Sequence, residues 1–324
     1  MSNFWKIAAP FISVIIFIVF IVWNFVGAPN NSTEKAVFII PQNTSEFDMF
    51  TSLHEKGLIK NANATKFIFT HFFKDFEIKS GGYNLSSKLS AWQVAKKLQR
   101  KPDLVWVNIY YCPRKEQVGE KLAAALEWDS NKLNKWNNLF KNTDYYEGVF
   151  YPDTYLIPVN ETVEEVADRF IQNFNTKFSP LSDEYIDSNI KWTTGLKIAS
   201  LIAREAAGRE DMHLISGIIW NRLNQDMRLQ IDATMQYTLG KNENSSWWGN
   251  ISLEQKKNDS PYNSYKHEGL PPTPICSPNY DFIEAALNPE ETDCLFYLHD
   301  KNRQIHCSKT YEGHLDNIRK YLND

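Results

Sequence analysis

The stretch TGLKIASLIAREAAG, residues 194–208, decides how the second half of the chain is read. Ile198, Leu201 and Ile202 stand seven, four and three positions before Glu205, so a helix places all four side chains on one stripe. A carboxyl on an apolar stripe is disfavoured as an ion. Its pKa rises, and it can carry a proton at neutral pH as a general acid must. The plainer alternative is a carboxylate at the stripe's edge that reaches solvent or pairs with Arg209.

Working outward, helices are expected over residues 195–207 and 210–223, and Thr162 with Glu165 forms a capping box for a helix burying Val163, Val166, Phe170 and Phe174. Beyond residue 224 the pattern predicts mostly short strands and loops, among them the proline-rich run at 269–274. Toward the N-terminus a strand at 36–40 is followed by a helix capped by Thr44 or Ser45, with Phe47, Phe50 and Leu53 on one face, closed by Gly57. A helical stretch around Phe69, Phe72 and Phe73 leads to a turn and strand at 79–85, a helix at 90–100, a strand at 104–110 and a helix at 116–128. The character changes near residue 131. The expected fold class is α+β, with an N-terminal transmembrane helix in residues 1–28, a small α+β module in 29–130 and a larger mixed domain in 131–324.

Composition narrows the function. With 43% hydrophobic and 23% charged residues the chain is globular rather than disordered, and a net charge of −4 supplies no basic field for nucleic acid. Residues 7–27 carry no charge and would span about 31 Å as a helix, enough for a bilayer core. A cleaved signal peptide ending near Val26-Gly27-Ala28 is the competing reading. Lys6 before the span favours a cytoplasmic N-terminus, which puts the remaining chain outside the cytoplasm. Cys112, Cys276, Cys294 and Cys307 are expected as isolated buried thiols, with one disulfide among the last three as the alternative. Glu205, Glu210 and His213 include a Glu-x-x-His step, but a di-iron bundle needs two such steps, so no metal site is expected.

Several separated motifs point further. Glu147-Gly148-Val149-Phe150-Tyr151-Pro152-Asp153-Thr154-Tyr155, the helix ending in Arg204-Glu205, Asn221-Arg222-Leu223 and Leu229-Gln230-Ile231-Asp232 occur in that order. They are followed by Ser260-Pro261-Tyr262-Asn263-Ser264-Tyr265, Gly269-Leu270-Pro271-Pro272 and Ala286-Leu287-Asn288-Pro289. Together, over residues 145–314, they resemble the YceG-like family of endolytic murein transglycosylases. In that family the catalytic glutamate closes a segment resembling Ala-Ser-Ile-Val-Glu-Lys-Glu. The second Glu falls on Glu205, and the first is replaced here by Ala203. The Thr310-Tyr311-Glu312-Gly313-His314 ending follows the family only in part, and residues 110–115 lack its Pro-Glu-Gly turn.

The resemblance implies a LysM-like module before a catalytic domain that cleaves nascent peptidoglycan between MurNAc and GlcNAc, without a cofactor. It implies an inner-membrane protein facing the periplasm, with glycan strands and membrane-bound peptidoglycan synthases as partners. Ordinary glycosidases need two carboxyl groups, whereas a lytic transglycosylase uses the muramyl 6-hydroxyl as its nucleophile and needs one, here Glu205. Asp232 is the nearest candidate for a second catalytic carboxylate and reads as a structural or substrate-binding residue, with a base in a hydrolase as the alternative. Sugars are held by aromatic faces and planar polar groups, so Tyr151, Tyr155, Gln230, Tyr262, Asn263 and Tyr265, with Asn221 and Arg222 from the motifs, are candidate glycan contacts. Trp247-Trp248 could stack on sugar or anchor its loop. A non-catalytic, membrane-tethered glycan binder is the rival from another class.

Overall fold

Alternation of apolar residues sets up the first sheet in the computed structural model, which describes residues 2–42, 46–73, 77–242 and 246–322. Two compact units divide the chain, Met1–Val107 with Tyr155–Glu161, and Asn108–Thr154 with Thr162–Asp324.

The first unit holds α1 (Ser2–Val26), β1 (Ala36–Ile40), α2 (Glu46–Glu55), α3 (Ala62–Phe72), β2 (Gly81–Leu85), α4 (Ala91–Leu98), β3 (Leu104–Asn108) and β4 (Thr154–Pro158). Its four strands lie in the order β1-β2-β3-β4, and β1 pairs antiparallel with β2 from Ala36↔Leu85 to Ile40↔Gly81. The inward residues Phe38 and Ile40 bury with Phe50, Leu53, Phe69, Tyr83, Val94 and Leu98 in one core. Gly57 does close α2: its φ is +66°, a conformation glycine adopts without penalty, and its N–H donates to the His54 carbonyl at 2.9 Å. Phe69 and Phe73 are buried as expected, but Phe72 is 62% exposed. The expected cap at Thr44 or Ser45 and the side chain of Phe47 lie outside the described residues.

Helix α1 covers the apolar run, with Phe11, Ile15, Ile16, Phe17, Phe20 and Trp23 exposed. The side chains at 1–7, 18, 21 and 22 lie outside those described. Among the described residues no helix is long and apolar enough to cross a membrane, so the expected span rests on the sequence run.

The second unit contains α5 (Lys115–Leu126), α6 (Ser130–Asn138), α7 (Val163–Phe178), α8 (Ser182–Asp187), α9 (Trp192–Glu205), α10 (Met212–Asn224), α11 (Asp232–Leu239), α12 (Tyr280–Leu287), β5 (Phe296–His299), β6 (Ile305–Ser308) and α13 (Tyr311–Tyr321). Helix α5 belongs here rather than with the residues before it. Trp136 of α6 packs on Gly119 and donates its indole N–H to the Lys115 carbonyl at 2.9 Å, so contacts divide the chain earlier than the change in pattern near 131. The Thr162–Glu165 capping box forms, and all four apolar residues expected on its helix are buried.

Strands and loops make up most of the described chain after residue 224, as expected, but the helices α11, α12 and α13 there were not foreseen. Helices α11 and α12 have only eight residues each, too short to show a repeating stripe. Helix α9 packs on α12 and α10, burying Leu196, Ile198, Leu201 and Ile202. Gly217 lets α10 approach the segment before β5: a Cβ there would overlap the Glu290 backbone carbonyl oxygen. Gly217→Ala is therefore expected to lower stability by roughly 1–3 kcal/mol through overpacking, read as a lower urea midpoint with unchanged slope.

The thiol expectation is also corrected. Cys112 pairs with Cys276 and Cys294 with Cys307, with Cα separations of 5.1 and 5.9 Å, leaving no free cysteine among the described residues. The first bridge joins positions 164 residues apart, a proximity that spacing in the sequence does not carry.

Candidate active site

Glu205 is the last residue of α9, one turn beyond the buried Leu201 and Ile202, where the chain leaves the helix through the Ala206–Arg209 turn. Burial raises its pKa; a hydrogen bond from Tyr297 and the charges of His299 and Arg204 oppose the rise, and the charge of Asp232 adds to it. The residue keeps part of its surface exposed. A carboxyl that is desolvated yet reachable is suited to hold a proton and pass it on. The alternative pairing with Arg209 does not occur, since Arg209 bridges to Asp281 at 2.7 Å.

Tyr297 was not foreseen, and it is the direct partner: its hydroxyl donates to Glu205 Oε2 at 2.6 Å. On the same strand His299 meets Asp211, Nε2 to Oδ2, at 2.7 Å. The buried Asp211 also accepts from the backbone N–H groups of Ala207 at 2.8 Å and Gly208 at 3.1 Å, so one carboxylate fixes the turn after Glu205 and links it to β5. The only sequence signal was the alternation Tyr297-Leu298-His299, which puts both polar rings on one face of a strand. Beside this turn lies a cavity of about 790 Å³ lined by Ala207, Gly208, Asp211, Arg303, Gln304 and His306. Its polar lining suits a hydroxyl-rich ligand.

The sequence-chosen residues divide into two groups. Asp232, Tyr265 and Lys256 form a cluster electrostatically coupled to Glu205: Lys256 reaches Asp232 and the Tyr265 hydroxyl, both at 2.8 Å, and that hydroxyl donates to Asp232. Burial pushes the Tyr265 phenol up to about 12. Gln230 is exposed, at φ +55°.

The others are committed to the scaffold. Arg222 donates to the carbonyls of Leu295 at 2.6 Å and Leu229 at 2.5 Å, and Asn221 donates to those of Thr292 at 2.7 Å and Cys294 at 3.2 Å. These two side chains hold the segment leading into β5, and so place Tyr297. The buried Asn263 ties its own loop through the carbonyls of Lys256 and Asn258 and the Tyr265 N–H. Tyr262 bonds Thr273 at 2.8 Å and packs on Tyr237. Tyr151 is buried with its hydroxyl accepting from the Tyr280 N–H at 3.0 Å, and Tyr155 is buried on β4 of the first unit.

Sequence reasoning also passed over Glu147. It is fully buried, accepts from the Lys115 N–H at 2.6 Å and the Tyr237 hydroxyl at 3.0 Å, and burial raises its pKa to about 8. Trp247 and Trp248 anchor their loop to α5 through Glu120 and Gln117 at 3.2 and 3.3 Å.

Comparison with known proteins places the chain in a family. The chain is 28% identical to the endolytic murein transglycosylase of Streptococcus pneumoniae, over 90% of this chain and 59% of that protein. Against the endolytic murein transglycosylase of Bacillus subtilis it is 33% identical, over 54% of this chain and 48% of that protein. It thus spans about three-fifths or less of the length of these curated relatives. A crystal structure of a yceG-like protein from Listeria monocytogenes superposes with a TM-score of 0.60 at 28% identity, covering 88% of this chain and 99% of that one. The profile of the YceG-like family matches residues 38–320, and the chain belongs to that family.

Proposed function

We propose that this protein is a peptidoglycan lytic transglycosylase that cleaves the MurNAc–GlcNAc bond of nascent strands with Glu205 as acid and then base. The observation that carries the reading is the carboxyl of Glu205, desolvated at the end of α9 and held by the Tyr297 hydroxyl. Glu205 gives its proton to the glycosidic oxygen as the bond from that oxygen to the muramyl C1 breaks. The muramyl 6-hydroxyl then bonds to C1 and returns its proton to the Glu205 carboxylate, which leaves a 1,6-anhydro end and consumes no water. The names carried by the relatives support this choice of substrate.

Asp232 is the carboxylate that a hydrolase would use as its base, and its coupling to Glu205 keeps that reading in view. Its pairing with Lys256 and Tyr265 supports a supporting role instead. Residues 7–27 are read as a membrane anchor on their apolar sequence, with the rest of the chain on the periplasmic side, where oxidised cysteine pairs persist. The β1-α2-α3-β2 order supports a LysM-like, glycan-binding role for the part of residues 29–130 that lies in the first unit, while α5 joins residues 131–324 in the catalytic domain, with membrane-bound synthases as partners.

Two substitutions test the acid through opposite shifts. The alkaline limb of kcat/KM follows loss of the Glu205 proton as pH rises through its pKa. Tyr297→Phe removes a hydrogen bond that favours the carboxylate, so the limb should move to higher pH by about one unit or less. Asp232→Asn removes a repelling charge, so the limb should move to lower pH, with less loss of rate than Glu205→Gln. Limbs that stay in place in both variants would remove Glu205 from the acid's role.

A further inference from the structure

The arginines near the candidate site differ in one respect. Arg222 donates to Leu295 and Leu229, Arg114 donates to the Tyr237 carbonyl at 2.8 Å, Arg209 pairs with Asp281, and Arg303 donates to the Ala207 carbonyl. Arg204 has no oxygen acceptor among the described residues. Its guanidinium lies over the Trp248 ring at 4.0 Å, its Nε is buried without a partner, and the side chain is half-buried. Burial lowers its pKa.

A desolvated cation without an anion is costly, and chains normally supply one. An indole against one face of a guanidinium still allows its terminal N–H groups to pair with a planar carboxylate. Glu205 does not fill this role in its acid form, because the protonated carboxyl is neutral. No anion for it stands among the described residues, and a bound substrate can bring one. The sugar rings of a GlcNAc–MurNAc strand are uncharged. Its carboxylates are those of the peptide stem or, where the stem is absent, of the muramyl lactyl group.

We propose that Arg204, braced on Trp248, is a carboxylate subsite that reads the muramyl substituent beside the bond to be cleaved. It rests on the transglycosylase reading for the substrate, but on Arg204 and Trp248 for the contact. Arg204 and Glu205 each feel the other's charge, so an anion held at Arg204 lies within electrostatic reach of the acid, and occupancy helps set which glycosidic oxygen receives the proton.

The test uses the full chain and three strand preparations: stems with free carboxyls, stems with carboxyls converted to amides, and strands stripped of stems. For the preparation bearing the recognised carboxylate, Arg204→Gln should raise the concentration for half-maximal cleavage by about 10- to 100-fold, the value of a charge-assisted hydrogen bond. kcat should change less, and Arg204→Lys should lose less. Amidation should weaken the wild type by a similar factor if the stem is the source, whereas tight use of stripped strands alone identifies the lactyl group. Binding to Glu205→Gln, with and without Arg204→Gln, reads the same dependence without turnover. If the wild type cleaves nothing while this binding dependence holds, the transglycosylase reading falls and the subsite stands. Equal losses on all three preparations, or indifference of wild-type binding to carboxylates, would overturn the subsite and leave Arg204 as a brace for its loop.

Discussion

Glu205→Gln is expected to slow strand cleavage by about 10²- to 10⁴-fold, the usual contribution of a general acid, while the protein stays folded. Glutamine keeps the shape of the side chain and can still accept from the Tyr297 hydroxyl, but it has no proton to deliver. The sign of the stability change separates this from a structural role. The folded-state pKa of Glu205 is raised, so its contribution is fully present below the unfolded pKa and is lost as pH rises through the folded one. Glutamine does not titrate, so the variant should lose that part of the pH dependence and be at least as stable as the wild type at alkaline pH. A structural ion-pairing role predicts a loss on the order of 1 kcal/mol with turnover largely intact. Unfolding curves at two pH values, alongside single-turnover cleavage, distinguish the outcomes.

Replacing both members of the Cys112–Cys276 bridge with alanine should lower stability by about 2–5 kcal/mol, as removing a native disulfide typically does. The bridge closes a separation of 164 residues and ties the segment ahead of α5 to the chain ahead of α12, the helix on which α9 packs. The Cys294–Cys307 bridge closes only 13, so its loss should be the smaller in a chain-entropy account. It joins the residue two before β5 to the β6 partner of Tyr297, so its removal should affect cleavage more than its share of stability suggests. Denaturant midpoints of the two paired variants, with and without reductant, check the order. Equal midpoints for wild type and both variants would mean the bridges do not form.

What was legible in the sequence was local. The stripe of α9 follows from the spacing of Ile198, Leu201, Ile202 and Glu205, and the start of α7 from Thr162 and Glu165, because each needs only neighbours one turn away. Helices α11 and α12 were missed because eight residues give two turns, and in α11 burial of Ala233, Thr234, Met235 and Tyr237 leaves no clear polar face. Tyr297 was illegible for a different reason: it lies 92 residues from Glu205, and only the packing of β5 brings them together. Asn221 and Arg222 stood in a recognisable motif, yet the motif could not tell a sugar contact from a bracket on the backbone of residues 292–295. The same limit hid the Cys112–Cys276 pair, whereas Cys294–Cys307 is a bridge of the kind kept as the alternative among the last three cysteines.

Glu205 acting as acid and then base decides the fate of the muramyl C1. Mass spectrometry of the ends released from nascent strands by the full chain reads it directly. Anhydromuramyl ends, one water lighter than reducing ends, are expected, disappearing with Glu205→Gln and persisting at reduced yield with Asp232→Asn. Reducing ends that vanish with Asp232→Asn would make the enzyme a hydrolase with Asp232 as base, and anhydromuramyl ends released at a near-normal rate by Glu205→Gln would contradict the assignment of the acid.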